Sequence, residues 1–377
     1  MAEQVLDMMA GEDQKLLEKT ASQFFAEHSP IERLRKLRDS GDTLGYSRDL
    51  WAQMAELGLA GLHLPEAYGG AGMSFFDLCL VLVQAGKHLV PEPFLSAVLA
   101  GEVLVAGGTE AQKQQYLPAI ASGETVIAAA YLEARSRFDV AAIDAVAERS
   151  SGGYAITGEK TQVLDAVGAD AFVVSAKIGA ELALFLVPAD AAGVTVVGQK
   201  RIDGRNVAIV RFASVKVAED ARVAADRGLP VLTSAVDKAT IALTAEMLGA
   251  SDEVFAQTIE YIKVRKQFGV PLGSFQSLQH RAARVYIAIE LCRSAVLASA
   301  RAVDERPDEL SRYASLAKAK ATESFLHAVD EAVQMHGGVG VTDECNVGFY
   351  LKRARVAEVT FGNAAFHRAR WASVNGY

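Results

Sequence analysis

The hydrophobic period changes twice along this chain, and that double switch constrains the fold more than any other feature. From Asp13 to about Ala121 apolar residues recur near helical spacing: Leu16, Ala21 with Phe24, then Phe25, and again Leu50, Met54 and Leu57. The loop Pro65-Glu-Ala-Tyr68-Gly69-Gly70-Ala-Gly72 interrupts this run with glycines that permit left-handed turns. A further apolar helix is expected from Phe75 to about Lys87. From about Thr125 to Asp226 short runs rich in β-branched residues take over: Tyr154–Thr157, Ala171–Ser175, Leu182–Val187, Val194–Val197, Val207–Phe212 and Val215–Val217. No long helical pattern separates them, which predicts an antiparallel sheet or small barrel. From about Leu229 the helical period returns over longer spans. Ile241, Ala245, Leu248, Phe255, Ile259 and Ile262 mark one stripe; Leu278, Ala282, Val285, Ile289, Cys292, Val296, Ala300 and Val303 mark a second. Such stripes pack as an antiparallel bundle. The expected class is a multidomain α+β fold with an N-terminal all-α domain over 1–124, a central antiparallel β domain over 125–228 and a C-terminal helical bundle over 229–377.

A chain of 377 residues exceeds one ordinary core, so several packed units are expected. With 51% hydrophobic and 22% charged residues it is a globular rather than a disordered sequence. A net charge of -8 provides no basic footprint for nucleic acid or an anionic membrane, although a local cluster could still hold a phosphorylated small ligand. Cys79, Cys292 and Cys345 are too few and too scattered for a disulfide framework or a zinc site. Glu323 with His327, and Glu331 with His336, miss the Glu-x-x-His spacing of di-iron bundles, so no metal site is expected. The first residues carry Glu3 and Asp7 without a basic or apolar leader region, and stretches such as Leu78–Val83 fall short of a membrane span. A cytoplasmic, non-membrane protein is the expectation.

Three segments carry more specific information. They are Gly58-Leu-Ala-Gly61-Leu-His-Leu-Pro65-Glu-Ala-Tyr68-Gly69-Gly70; Tyr261-Ile-Lys-Val-Arg265-Lys-Gln267-Phe268-Gly269, followed by Pro271, Phe275 and Gln276; and Gln334-Met-His-Gly337-Gly338-Val-Gly340 with Glu344. In order and spacing they resemble the signatures of the acyl-CoA dehydrogenase family, over nearly the whole chain. The resemblance implies that family's fold, with a C-terminal four-helix bundle, and an FAD held in an extended pose at a subunit interface. It also implies that Arg265, Gln267, Phe268, Gln276, Gln334, Gly337 and Gly338 contact an FAD held mainly by a neighbouring subunit. The residue chemistry agrees with those roles. An arginine fork suits a pyrophosphate, a phenylalanine can pack against a flat ring, and glycines let backbone amides approach an anionic ligand. Alternative local roles are open: Arg265 as a helix C-terminal cap, Gly337-Gly338 as a helix stop, Phe268 as core.

The same resemblance exposes departures. Family members remove the α-proton of an acyl-CoA thioester with a glutamate while hydride leaves the β-carbon for the flavin, which demands a carboxylate that is ionised yet basic in a desolvated cleft. Counting from Gln334, the usual glutamate position is Phe361, in Val359-Thr-Phe361-Gly362-Asn363; the alternative position on the first bundle helix is Ala239. Neither can accept a proton. Glu246, two helical turns beyond Ala239, is a candidate displaced base, the competing role being a paired glutamate inside the bundle. Where the family carries Thr-Glu-Pro…Gly-Ser-Asp against flavin and substrate, this chain has Leu132-Glu133-Ala134-Arg135-Ser136-Arg137-Phe138-Asp139, and the family's Trp-Ile-Thr/Ser becomes Gln162-Val163-Leu164.

These departures favour a non-catalytic or half-site subunit of a heteromeric FAD-dependent acyl-CoA dehydrogenase. Its implied partners are an acyl-CoA substrate, a homologous catalytic subunit in a heterotetramer, and an electron-transfer flavoprotein as acceptor. Lys352-Arg353-Ala-Arg355 and Phe361-Gly-Asn-Ala-Ala-Phe-His-Arg368 resemble the branch that handles bulky, steroid-type acyl groups. Two alternatives stay open: a self-sufficient homotetramer using Glu246, and a cofactor-free scaffold of the same fold.

Overall fold

The computed structural model describes residues 11–377; the expectation that no leader opens the chain falls on Met1–Ala10, outside them. The chain packs as two compact units, each discontinuous in sequence. One takes Met1–Lys36, Phe75–Val90 and Thr240–Tyr377; the other takes Leu37–Ser74 and Pro91–Ala239. In chain order the first helices are α1 (Glu12–His28), α2 (Ile31–Ser40), α3 (Arg48–Glu56), α4 (Phe75–Lys87), α5 (Phe94–Gly107) and α6 (Glu110–Ala121). Local chemistry starts two of them. The Ser47 hydroxyl accepts the Leu50 amide at 3.2 Å to open α3. Thr109 and Gln112 form a reciprocal capping box at α6, with Gln112 N–H donating to Thr109 Oγ1 at 3.3 Å and Thr109 N–H to Gln112 Oε1 at 2.9 Å.

The strands follow: β1 (Ile127–Ala130), β2 (Val146–Ser150), β3 (Gly153–Leu164), β4 (Ala171–Ile178), β5 (Glu181–Pro188), β6 (Val194–Gln199), β7 (Val207–Ala218) and β8 (Arg222–Val223). They form one sheet in the order β6-β7-β3-β2-β4-β5-β8, with β1 attached to β4. Most pairs are antiparallel, as expected; β1 and β2 instead run parallel to β4. Neither carries a β-branched run, since β1 reads Ile-Ala-Ala-Ala and β2 Val-Ala-Glu-Arg-Ser, so the period alone passes over both. Two expected runs fuse into β7 through Ser214, whose φ of 52° accompanies a register shift opposite Ile156 and Gly158. Edge-to-face aromatic pairs, Tyr154–Phe185 at 5.1 Å and Phe172–Phe212 at 6.3 Å, fill the buried face of the sheet.

The remaining elements are the long helices α7 (Gly228–Val264), α8 (Gln276–Glu305) and α9 (Leu310–His336), then α10 (Val347–Val359) and α11 (Ala364–Val374); a two-stranded hairpin, β9 (Lys266–Gln267) and β10 (Val270–Pro271), separates α7 from α8. Val285, Ile289, Cys292 and Val296 of the predicted stripe are buried along α8. In the same unit α4 and α7 touch backbone to backbone. A Cβ at Gly86 would strike the Glu246 carbonyl, and one at Gly249 would strike that of Val83. Among the described residues no helix is long and apolar enough to cross a membrane.

Candidate cofactor-contacting site

The Arg265 segment begins where α7 ends and doubles back as the β9–β10 hairpin, with Gln267 opposite Val270 and Lys266 opposite Pro271. Its two turn residues, Phe268 (φ 54°) and Gly269 (φ 84°), are both left-handed, the signature of a type I′ turn. Asparagine or glycine suits the first of these positions. A phenylalanine there is strained, and Phe268 is also 92% exposed. The alternative of a core role is therefore excluded: a large apolar side chain is held out into solvent on a stiff support. Phe275 backs it edge-on at 6.2 Å, and Arg265, Gln267 and Gln276 are likewise exposed.

Gln334, Gly337 and Gly338 end α9. Gly337 adopts φ 66°, ψ -143°, a conformation that glycine alone takes readily, so the helix-stop role holds for it. Gly338 is different. Its φ is not left-handed and a Cβ there would meet nothing within 4 Å, so the chain's own packing gives no reason for a glycine. Gly61 and Gly70 of the earlier loop contrast with it, because their Cβ atoms would strike Ala121 and Leu64. The two site segments are fastened together. The rings of Tyr261 and His336 stack at 4.3 Å, and the Tyr261 hydroxyl donates to the His336 carbonyl at 3.3 Å. Beneath them Ile262, Ala282 and Met335 form a small core with Leu272 and Leu278 against it. The structure thus assembles all seven expected residues from two neighbouring segments on one face, every one of them exposed.

The two base positions are buried instead. Ala239 is 0% exposed and Phe361 only 7%. Phe361 is left-handed at φ 59°. Its carbonyl receives Nε2 of His367 at 3.0 Å, while the Lys318 ammonium gathers the carbonyls of Gly362 (2.7 Å), Ala357 (2.9 Å) and Glu358 (3.1 Å). Burial pushes Lys318 down to about 7, the Glu358 carboxylate partly offsetting it. Burial and then the Lys318 charge push His367 down to about 3. Sequence reasoning missed both residues, although a lysine amid Ala314, Ala317 and Ala321 on a core stripe was the available signal. Glu246 lines a cavity of about 10 Å³ with Arg353, Leu243 and Phe325. That space is at the lower limit for a single water, so the arrangement favours the paired-glutamate role over a base meeting substrate.

In the other unit the Leu132–Asp139 segment is tied to the sheet. Lys160 donates to Glu133 at 2.7 Å and to Ser175 at 3.0 Å, and Glu133 also accepts the amides of Asp144 (2.6 Å) and Ala145 (3.0 Å). Burial lowers Lys160 to about 8 even beside Glu133. It raises Glu133 too, but Lys160 and the two amides overcome this and hold the carboxyl below its usual range. The one glutamate that survives from the family segment is therefore spent on fixing its own loop. The residues of this unit do not fit a flavin as the family's do, whereas the exposed face around Arg265 and Gly338 does.

The chain matches the family model "Acyl-CoA dehydrogenase, C-terminal domain" over residues 226–374 and "Acyl-CoA dehydrogenase, N-terminal domain" over residues 11–124. It is 30% identical to "Acyl-CoA dehydrogenase IpdE2" of Mycolicibacterium smegmatis, covering 91% of this chain and 92% of that protein. Among solved structures it resembles a variant of the Tcur3481-Tcur3483 steroid ACAD, at 30% identity and TM-score 0.88 over 97% of this chain and 98% of that one. It also resembles the ChsE4-ChsE5 complex from Mycobacterium tuberculosis, at 28% identity and TM-score 0.89 over 98% of each. With both terminal domains and nearly the full length accounted for, this chain belongs to the acyl-CoA dehydrogenase family of FAD-dependent oxidoreductases.

Proposed function

We propose that the chain is the half-site subunit of a heteromeric acyl-CoA dehydrogenase that desaturates a bulky, steroid-type acyl-CoA at the α,β position. Arg265, Gln267, Phe268, Gln276, Gln334, Gly337 and Gly338 would complete the FAD site of a homologous partner, and the partner would supply the base. One observation carries this reading: the seven residues proposed to contact flavin are all exposed while both base positions are buried and aprotic. The names of two relatives, a steroid ACAD and a two-protein complex, support the substrate class and the assembly. An electron-transfer flavoprotein is the proposed acceptor and the cytoplasm the proposed compartment.

The test is flavin absorbance per chain with native mass spectrometry, on the protein alone and after co-expression with a candidate partner. The expected outcome is little flavin alone and one FAD per pair of unlike chains in the assembly. One FAD per chain in a homo-oligomer would reject the reading, and no flavin with any partner would leave only the scaffold role.

A further inference from the structure

Within the first of the two units, α1, α4, α7 and α8 line a cleft of about 1020 Å³, and none of the seven expected flavin contacts is on its wall. That is room for a small organic molecule. One stretch of the wall is apolar, built from Phe255 and Ile259 of α7 with Tyr286 and Ile289 of α8. The Phe255 and Tyr286 rings are 6.5 Å apart and only 33° from parallel, so they offer a flat face.

The opposite stretch is charged. Arg293, only 2% exposed, donates through Nη2 to Asp252 at 2.6 Å and through Nε to Glu290 at 3.3 Å. Lys87 of α4 converges on the same end: burial raises the Asp252 carboxyl, and the charges of Arg293 and then Lys87 pull it back. The other acids are engaged as well. Glu18 accepts from Gln84 at 2.7 Å, Glu253 from Gln257 at 2.8 Å and Glu260 from Lys263 at 2.5 Å. Among the described residues, Nη1 of Arg293 and the ammoniums of Lys19 and Lys87 have no hydrogen-bond or ion-pair partner. The polar capacity left over in this cleft is therefore cationic donor capacity. We propose that the cleft binds a monocarboxylic acid with a flat apolar body, its carboxylate between Lys87 and Arg293 and its body against Phe255 and Tyr286. Five carboxylates face four cations on the lining, so a single negative charge is accommodated while the several of a nucleotide are opposed. The ligand is thus of a different class from CoA and FAD, and the inference stands whichever way the half-site reading is decided.

Fluorescence titration of the full chain with pyrenebutanoate, and with pyrenebutanol as its uncharged counterpart, tests it. One acid per chain should bind, about tenfold more tightly than the alcohol. Lys87→Met should remove that preference and leave alcohol binding in place. Ala256→Trp, which fills the cleft from an exposed position on α7, should abolish both. Lys216→Met, on the surface of the other unit, should change neither. The proposal fails if the acid does not bind, if acid and alcohol bind alike, or if either cleft variant behaves as the wild type does. It also fails if CoA or FAD displaces the probe, which would place it in a nucleotide-handling site. Neither cleft substitution removes a buried apolar side chain, so the folded state is expected to survive both.

Discussion

Around residue 361 the chain holds a left-handed turn by buried polar contacts and fills it with a side chain that cannot accept a proton. Phe361 is left-handed and its carbonyl is fixed by His367, whose Nδ1 lies 3.4 Å from Ser315 Oγ. These contacts suit a neutral ring with its proton on Nε2, in agreement with the pKa held down to about 3. An unfolded histidine titrates near 6.5. Between those values the unfolded chain binds a proton that the folded chain refuses, so folding is weakened as pH falls from about 6.5 toward 3, by at most about 1.4 kcal/mol per pH unit. Replacing His367 with Gln keeps a donor to Phe361 but removes the titration. Urea unfolding at pH 7 and pH 4.5 should show a smaller acid loss in the variant; equal losses would contradict the assignment. Lys318 is the second support, and Lys318→Met would leave three carbonyls, two of them buried and that of Glu358 partly so, without their donor. We expect a loss of about 3 kcal/mol or more, read as a lower urea midpoint.

Among the elements, the β9–β10 hairpin is where stability and function conflict most plainly. Phe268 costs the isolated chain backbone strain and exposes a large ring to water. Phe268→Asn should relieve the strain and raise the melting temperature of the isolated chain, by about 1 kcal/mol of stability. The same change should lower flavin retention in the assembly; a variant that keeps both the gain and the flavin would show that the ring has no role there. The hairpin's segment was legible in the sequence as a signature because the residues are contiguous, but not as a hairpin, since strands of two residues leave no period to read. Helix α4 was legible, since twelve of its residues are buried and it ends at Lys87 as its apolar run suggests. The weaker strands were not legible. β1 is four buried residues, three of them alanine, and only its parallel partner β4 makes it a strand. The Leu132–Asp139 loop was legible as a departure but not as a structure, because Glu133, Ser136 and Lys160 are held together by contacts between residues up to 27 positions apart.

At the scale of the whole molecule, the features retained and lost separate cleanly. What is kept is outward: the seven exposed residues at the ends of α7 and α9 and the start of α8. What is lost is what a self-contained active site needs: the carboxylate at Phe361 or Ala239, the family threonine and serine replaced by Leu132 and Phe138, and the indole replaced by Gln162. Such losses are coupled in their consequences, since a base without a flavin has no acceptor for the hydride. Restoring one alone should therefore achieve nothing. Phe361→Glu places a carboxylate at the family position on a turn already supported by Lys318 and His367, so its failure could not be blamed on a missing support. In the isolated chain supplied with FAD, anaerobic addition of an acyl-CoA should produce no more flavin bleaching than in the wild type. Bleaching that appears with this one substitution would mean that the chain holds a usable flavin of its own, and the division of labour between unlike subunits would have to be abandoned.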